Sequence, residues 1–296
     1  MNLTREQKLT RVTLVGSIGN MVLLTFKFVA GILAGSSAMV ADAVHSLSDF
    51  LTDIIVLVFV RIGAKPQDEG HDYGHGKYET LATLLVALAL VGAAIGIIVT
   101  GALKIARWLQ GETLEMPGML ALWAALLSIV VKEVLFRYTI AKGKALESPA
   151  VVANAWHHRS DALSSIGAAV GIGGAILLGE KWAVLDPLAS IVVGAMLVKT
   201  ALELLKVSTG ELTDGSLPAE TEREIEDIIR SFPQVSEPHN LRTRRIGNRI
   251  AIEAHVRLDG SMSLDAAHEI VTEIEHSLKD RFGQATLVTI HMEPEK

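Results

Sequence analysis

The chain contains no cysteine. Without thiols it can form no disulfide, use no thiolate in catalysis and build none of the zinc sites that depend on cysteine sulfur. Any metal ion must therefore be held by histidine nitrogen and carboxylate oxygen, the remaining side-chain ligands that suit divalent ions.

Charged residues are scarce and unevenly placed. They make up 20% of the 296 residues, against 50% hydrophobic residues, and the mean hydropathy is +0.38, which argues against an ordinary soluble protein. Residues 1–208 carry 17 Lys and Arg against 16 Asp and Glu, whereas residues 209–296 carry 10 against 17, so the acidic tail supplies the net charge of −6. Nucleic-acid binding is disfavoured, because it depends on basic residues that neutralise phosphates.

Six apolar runs are long enough to cross a membrane as helices, which takes about 20 residues for each crossing. The first run is too long and too continuous for a cleavable signal peptide, so we interpret it as a membrane helix. The sequence thus predicts an α-helical membrane protein with a six-helix transmembrane domain over residues 1–208. The runs are residues 12–34, 37–60, 79–104, 117–141, 148–178 and 182–205.

The basic residues at the ends of these runs predict the orientation, since Lys and Arg concentrate in cytoplasmic loops. Most lie on one side of the membrane, which places both termini in the cytoplasm. Lys27 lies within the first run, about two turns from its end, and we expect its long side chain to reach the headgroups. The cytoplasmic set is Arg5, Lys8, Arg11, Arg61, Lys65, Lys77, Arg137, Lys142, Lys144 and Lys206, and the opposite set is Lys104, Arg107 and Lys181.

Residues 209–296 lack such runs and predict a cytoplasmic α+β domain. Amphipathic segments alternate with short strand patterns in the order αββαβ, which is typical of two helices on one face of a three-stranded sheet. We expect the first two strands to form a hairpin turned at Gly247–Asn248. The predicted elements are helices over 218–232 and 263–282 and strands over 241–246, 249–258 and 285–292.

Four ionisable residues of the second run share one helix face. They follow at i, i+3, i+7 and i+11, which at 100° per residue forms a narrow stripe. Ionisable groups within a membrane are costly and usually face a partner or an aqueous path, so the stripe predicts a functional site. The four are Asp42, His45, Asp49 and Asp53.

The fifth run repeats this pattern. Residues 40–51 and 152–163 agree at seven of twelve positions, and both contain His-x-x-Ser-Asp. Because the second and fifth runs cross the membrane in opposite directions, their His-Asp pairs can meet near the midplane. The site predicted there consists of His45, Asp49, His157 and Asp161.

Two imidazole nitrogens and two carboxylate oxygens form a tetrahedral set that suits zinc and tolerates related divalent ions. Two ionised Asp and two neutral His supply a charge of −2, and a buried site of this charge also attracts protons. Competition between metal and protons is the physical basis of exchange transport. The alternatives are a polar network that only joins helices and an intramembrane metalloenzyme, although the sequence has no motif such as His-Glu-x-x-His.

The paired His-x-x-x-Asp, the loop segment Tyr73–Glu79 and the segment His239–Arg244 together resemble the cation diffusion facilitator family, and within it the YiiP-like bacterial zinc transporters. The resemblance extends from about residue 12 to Glu293. It implies zinc efflux by proton antiport, performed by a homodimer in the bilayer of a prokaryotic plasma (inner) membrane. It also implies a metallochaperone-like tail domain and no enzymatic activity.

The same resemblance implies two further groups of metal ligands, whose zinc ions would be structural or regulatory. A solvated loop and ordinary surface histidines are the respective alternatives. Relatives often carry Asp at the last position of the second group, so a longer side chain would change the bridging geometry there. The loop group is Asp68, His71 and His75. The tail group is His239, His255, His268, His291 and Glu293.

One transport-site position departs from the YiiP-like pattern, which often has Asp where this chain has His45. The set of two His and two Asp is similar to that of zinc-selective members and makes cadmium transport less expected. Export of manganese, iron or cobalt is an alternative, with manganese disfavoured most because it prefers oxygen ligands. A membrane protein that senses metal without translocating it is another.

Three charged residues remain outside these groups. Lys77 matches a Lys that forms a charge pair near the dimer hinge of relatives. Here its partner would be Glu211, or Lys77 is an ordinary cytoplasmic lysine. Lys132 and Glu133 are adjacent within the fourth run, and adjacent helical residues diverge by 100°, so either could line a water path.

Overall fold

In the part of the chain that the structure describes, six long helices are followed by a three-stranded sheet with two further helices. A computed structural model describes residues 5–63, 65, 67–145, 149–247 and 249–295, and within these it leaves out the side chains of residues 5–13, 52–61, 63, 149–154, 157, 158 and 160. The long helices are α1 (Arg5–Leu33), α2 (Ser37–Gly63), α3 (Lys77–Leu109), α4 (Met119–Ala145), α5 (Pro149–Leu178) and α6 (Leu185–Leu212).

Each long helix matches one of the six predicted apolar runs, and the predicted helical transmembrane domain is confirmed. Several helices extend beyond the runs because polar residues continue the backbone hydrogen bonding past the apolar stretch. Among the described residues, five stretches are long and apolar enough to cross a membrane: Leu14–Leu33, Lys77–Leu109, Met119–Ala145, Asp161–Leu178 and Glu180–Leu212.

The chain divides into two compact units. One consists of residues 1–54 and 86–203, and the other of residues 55–85 and 204–296. The second unit therefore contains the sheet domain together with the adjoining ends of α2, α3 and α6.

The first unit is packed through small residues. Fully buried alanines surround the buried side chains of Met39 and Ile172. At Gly171 of α5, an added Cβ would lie 2.3 Å from the Cβ of Ala189 on α6, so glycine permits the close approach of these helices. Because lipid is as apolar as the helix interior, such close packing is what holds membrane helices together.

Lys27 does not reach the headgroups, and that prediction is wrong. Its side chain is 0% exposed, and its Nζ lies 2.8 Å from Oδ2 of Asp42. The ammonium also donates to the hydroxyls of Ser46 and Ser165, while Ser164 donates to the other carboxylate oxygen. A lysine is stable inside the bundle because this carboxylate and these hydroxyls replace the water that the headgroup region offers.

The αββαβ order of the tail is confirmed. Its elements are α7 (Ala219–Arg230), β1 (His239–Ile246), β2 (Arg249–Leu258), α8 (Leu264–Phe282) and β3 (Leu287–Pro294). The central strand β2 runs antiparallel to β1 and parallel to β3. Ile225 and Ile229 of α7 share one core with Ile274 and Leu278 of α8 and with alternate residues of β2, so both helices cover the same face of the sheet.

The turn between β1 and β2 lies against the start of α3 within the second unit. Gly247 has a φ of 62°, and a Cβ added there would lie 2.7 Å from the backbone oxygen of Gly76. A Cβ added to Gly76 would lie 2.5 Å from the backbone oxygen of Ile246. Glu211 at the end of α6 accepts a hydrogen bond from the N–H of Gly247 at 2.7 Å. Two facing glycines therefore allow direct contact between the two backbones.

Replacing Gly76 with alanine should separate the hairpin from α3. The added methyl group would meet a backbone oxygen, which cannot rotate away as a side chain does, so we expect a loss of ~1–3 kcal/mol in stability. The melting temperature of the purified protein measures this loss. Gly96→Ala is the control, because among the described residues no atom outside its own helix turn lies within 4 Å of the added Cβ. Equal melting temperatures of the two variants would contradict the contact.

Candidate metal centres

Side chains from α2 and α5 meet inside the first unit. His45 and Asp49 lie about one turn apart on α2, and Asp161 lies on α5. One ligand atom from each falls within 4.8 Å of the others. The side chain of Asp161 is 5% exposed. The fourth predicted member, His157, lies four residues before Asp161, but its side chain is outside the described residues, so its place in the cluster stays a prediction.

The three groups fit a tetrahedral divalent ion. At metal–ligand distances of about 2.0–2.2 Å, tetrahedral ligands stand roughly 3.3–3.6 Å apart. Atoms already within 4.8 Å of one another reach that spacing through small side-chain rotations. Nδ1 of His45 is buried, and no described group hydrogen-bonds to it. Buried polar atoms are normally hydrogen-bonded, so this nitrogen is open to a ligand or to a side chain that lies outside the described residues.

A lysine that the sequence left unassigned contacts Asp161. Lys132 of α4 is 2% exposed, and its Nζ donates to Oδ2 of Asp161 at 2.8 Å. The charge of −2 expected from the two Asp is therefore offset by one ammonium. Glu133 is instead 37% exposed and pairs with Arg137 at 2.8 Å. A lysine deep in an apolar helix needs an acidic partner, and this signal could have led to Asp161.

The four-residue stripe of α2 does not form one site. Asp42 is buried about one turn before His45, and Lys27 and two serine hydroxyls bind its carboxylate. The cluster of His45, Asp49 and Asp161 does not include it. The side chain of Asp53 lies outside the described residues.

The predicted loop ligands come together in the second unit. The carboxylate of Asp68 lies 3.0 Å from Nδ1 of His71 and 3.3 Å from Nε2 of His75. The hydrogen bond from His71 holds the pKa of Asp68 below its ordinary value, which favours the metal-binding carboxylate form. Tyr78, which the sequence did not assign to this group, places its hydroxyl 3.3 Å from Nε2 of His71. The loop thus presents a compact set of nitrogen and oxygen donors.

On the sheet, three of the five predicted tail ligands form one cluster: His239, His255 and Glu293. The strand register places His239, His255 and His291 side by side on β1, β2 and β3. Glu293 reaches two of them, with Oε1 3.0 Å from Nδ1 of His255 and Oε2 3.4 Å from Nε2 of His239. The hydrogen bond with His255 is the main reason that the pKa of Glu293 lies below its ordinary value. The longer side chain at this position therefore bridges two histidines.

The other two predicted tail ligands, His291 and His268, lie outside this cluster in the described structure. The ring of His291 is centred 4.7 Å from that of His255, but its Nε2 is 4.0 Å from the nearer oxygen of Glu293 and its side chain is 63% exposed. His268 is exposed on α8, and in the described structure it does not belong to the cluster. One chain thus brings together His239, His255 and Glu293, with His291 at the rim.

Lys77 has an acidic partner after α6, but the partner is Asp214 rather than Glu211. Nζ of Lys77 donates to Oδ1 of Asp214 at 2.7 Å, and Arg244 lies 3.4 Å from the other oxygen. The hydrogen bond from Lys77 is the main cause that holds the pKa of Asp214 below its ordinary value. Helical spacing could not identify Asp214, because it lies beyond the end of α6 with a positive φ of 56°.

Two parts of the chain match two family models. A model of the cation efflux transmembrane domain matches residues 13–213, and a model of the cation efflux protein cytoplasmic domain matches residues 217–295. The chain belongs to the cation efflux family. The resemblance to the cation diffusion facilitators is thereby confirmed, and the protein is an integral membrane transporter of divalent metal cations whose tail is the cytoplasmic domain.

Relatives within this family span several kingdoms. The chain is 32% identical to the manganese efflux system protein MneP of Bacillus subtilis, over 98% of this chain and 97% of that protein. It is 36% identical to metal tolerance protein C1 of Arabidopsis thaliana, over 97% of this chain and 62% of that protein. The solved metal-bound C-terminal domain of the CzcD transporter from Thermotoga maritima is 36% identical, with 26% of this chain and 94% of that chain covered and a TM-score of 0.23.

Replacing Lys77 with methionine should raise the pKa of Asp214 toward its ordinary value. Because the folded-state pKa is depressed, the ion pair stabilises the fold above the ordinary carboxyl pKa, and this contribution is lost as the pH falls through the folded-state value. Both side chains are partly exposed, so the loss at neutral pH should not exceed about 1 kcal/mol. NMR titration of the Asp214 carboxyl measures the shift, with Lys65→Met as control. An Asp214 titration that Lys77→Met leaves unchanged would mean that the pair does not form.

Proposed function

We propose that the protein exports zinc from the cytoplasm in exchange for protons, through a transport site of His45, Asp49, His157 and Asp161. The main support is the meeting of two carboxylates with an imidazole whose buried Nδ1 has no hydrogen-bond partner among the described residues. Donors on two different helices can bind an ion and release it when the helices shift, as in many secondary transporters.

The donor types favour zinc over manganese. Zinc accepts tetrahedral sets of nitrogen and oxygen, whereas manganese prefers oxygen-rich sites with more ligands. Family membership alone does not select the metal, because the relative MneP is named a manganese efflux protein. Export of manganese, iron or cobalt through the same residues is therefore the second candidate.

Exchange for protons follows from competition at the same atoms. Metal binding needs neutral imidazole and ionised carboxylate, so binding releases protons and a lower pH weakens it. A pH gradient across the membrane would then drive metal toward the side with more protons. This coupling requires no residues beyond the four of the transport site.

The loop and tail clusters serve as additional zinc sites in this proposal. Asp68, His71 and His75 would hold one ion near the cytoplasmic end of α3. The tail ligands would hold another and stabilise the cytoplasmic domain of a homodimer. The domains would comprise residues 1–208 and 209–296, with both termini in the cytoplasm of a prokaryotic inner membrane. The tail ligands are His239, His255, His268, His291 and Glu293.

Replacing Asp49 with alanine should abolish zinc transport in a folded protein, because it removes one ligand and one negative charge from the site. Reconstituted vesicles with an imposed pH gradient measure the uptake of zinc, manganese, iron and cobalt separately. We expect zinc to be the fastest for the unchanged protein. Asp72→Ala is the matched control and should transport normally, because it removes an exposed loop carboxylate outside the clusters of the described structure.

Each other outcome rejects a definite part of the proposal. Near-normal zinc uptake by the Asp49→Ala protein would overturn the transport site. Faster uptake of manganese than of zinc by the unchanged protein would favour the second candidate. Metal binding without accumulation would identify a sensor. Uptake that does not respond to the pH gradient would contradict proton exchange.

Replacing His239 and His255 together with alanine should lower the metal content of the purified protein. A metal that bridges β1 and β2 contributes to the folding of the domain, so zinc should also raise the melting temperature less than in the unchanged protein. His276→Ala, at an exposed histidine of α8, is the matched control. If the double variant keeps its metal content and its response to zinc, these residues are ordinary surface histidines.

A further inference from the structure

Two polar contacts, about one helical turn apart, join α4 to α5. Nζ of Lys132 donates to Oδ2 of Asp161 at 2.8 Å, and Oγ of Ser128 lies 3.1 Å from Oγ of Ser165. The spacing is four residues on each helix, and the helices run antiparallel, so the contacts follow one another along the interface. All four side chains are buried. The position of Asp161 is therefore set in part by α4, a helix that supplies no member of the described cluster.

The contact between Lys132 and Asp161 is not easily exchanged for another. A buried ammonium without an anionic partner is strongly unfavourable, and at 2% exposure water cannot replace the carboxylate. Of the other described carboxylates nearby, that of Asp42 already binds Lys27 at 2.8 Å, and that of Asp49 belongs to the same cluster as Asp161. Each buried lysine is thus matched to its own aspartate.

We propose that Lys132 is a positioning residue that sets the metal selectivity of the transport site, an inference that rests on the function proposed above. With one lone pair of Oδ2 taken by the ammonium, Asp161 binds a metal best through Oδ1 alone, because a metal bound to both oxygens would lie closer to the positive charge of Lys132. One-oxygen binding keeps the coordination number low. Zinc accepts four ligands readily, whereas larger or harder ions take more oxygen ligands and often bidentate carboxylates.

The charge of Lys132 acts in the same direction. Two ionised Asp carry −2, and the ammonium returns +1, so the site attracts cations less strongly through charge alone. Ions that are held mainly by attraction to oxygen lose the most binding free energy when the negative charge of the site is reduced. Zinc loses less, because it also bonds to the nitrogen of His45. Both effects favour zinc over manganese at the cluster of His45, Asp49 and Asp161.

Lys132→Met tests the proposal, because methionine has a similar length and no charge. We expect the ratio of manganese affinity to zinc affinity to rise by about tenfold or more, with zinc binding retained. Calorimetry on the full-length protein measures both affinities, in a background that removes the other clusters through His71→Ala, His239→Ala and His255→Ala. Glu133→Gln is the matched control and should leave the affinity ratio unchanged. The side chain of Glu133 pairs with Arg137 and lies outside the described cluster.

Lys132→Arg separates positioning from charge and remains decisive if Lys132→Met does not fold. Arginine keeps the charge, but its guanidinium can engage both carboxylate oxygens, so zinc affinity should fall by at least about tenfold. An unchanged affinity ratio in Lys132→Met, or normal zinc binding in Lys132→Arg, would overturn the proposal. Failure of the transport function is a different result, since near-normal uptake by Asp49→Ala would reject the site whatever the Lys132 variants bind.

Discussion

A charge buried between apolar helices must be matched by an opposite charge or by a ligand, because neither lipid nor the helix interior offers water. In the first unit this constraint pairs Lys27 with Asp42 and Lys132 with Asp161. Beside the second pair, Nδ1 of His45 is buried without a hydrogen-bond partner among the described residues. The proposed transport site is thus the place where the described charge pairs end and where an ion could bind the remaining donors.

The same donor chemistry appears in a more exposed setting in the second unit. Hydrogen bonds with histidines lower the pKa of both Asp68 and Glu293. Because water screens these contacts, each contributes little to the stability of the fold by itself. The loop that carries Asp68 is tied to the sheet domain through Tyr73. Arg249 donates to the backbone oxygen of Tyr73 at 3.1 Å, and Arg244 lies 4.9 Å from the centre of its ring. Metal binding in the loop would therefore act on a segment that already contacts the cytoplasmic domain.

Much of the fold could be predicted from the sequence. The length of the apolar runs predicts the long helices, and the change to short alternating patterns after residue 208 predicts the αββαβ domain. The repeated His-x-x-Ser-Asp likewise singled out Asp49 and Asp161, which the structure brings to one cluster. These features depend on residues that are close in the chain. Over such short distances the period of a helix or strand tells from a residue's position which way its side chain points.

The charge pairs could not be predicted in this way. Lys27 was expected at the headgroups, Asp214 was missed as the partner of Lys77, and Lys132 had no assigned partner. Each pair joins two different segments of the chain, and composition carries no information on which helix faces which. The sequence by itself thus determined the long helices, the order of helices and strands in the tail, and the types of ligand available. The tertiary structure alone set which carboxylates are already bound to lysine, because that depends on distances between helices that packing brings together.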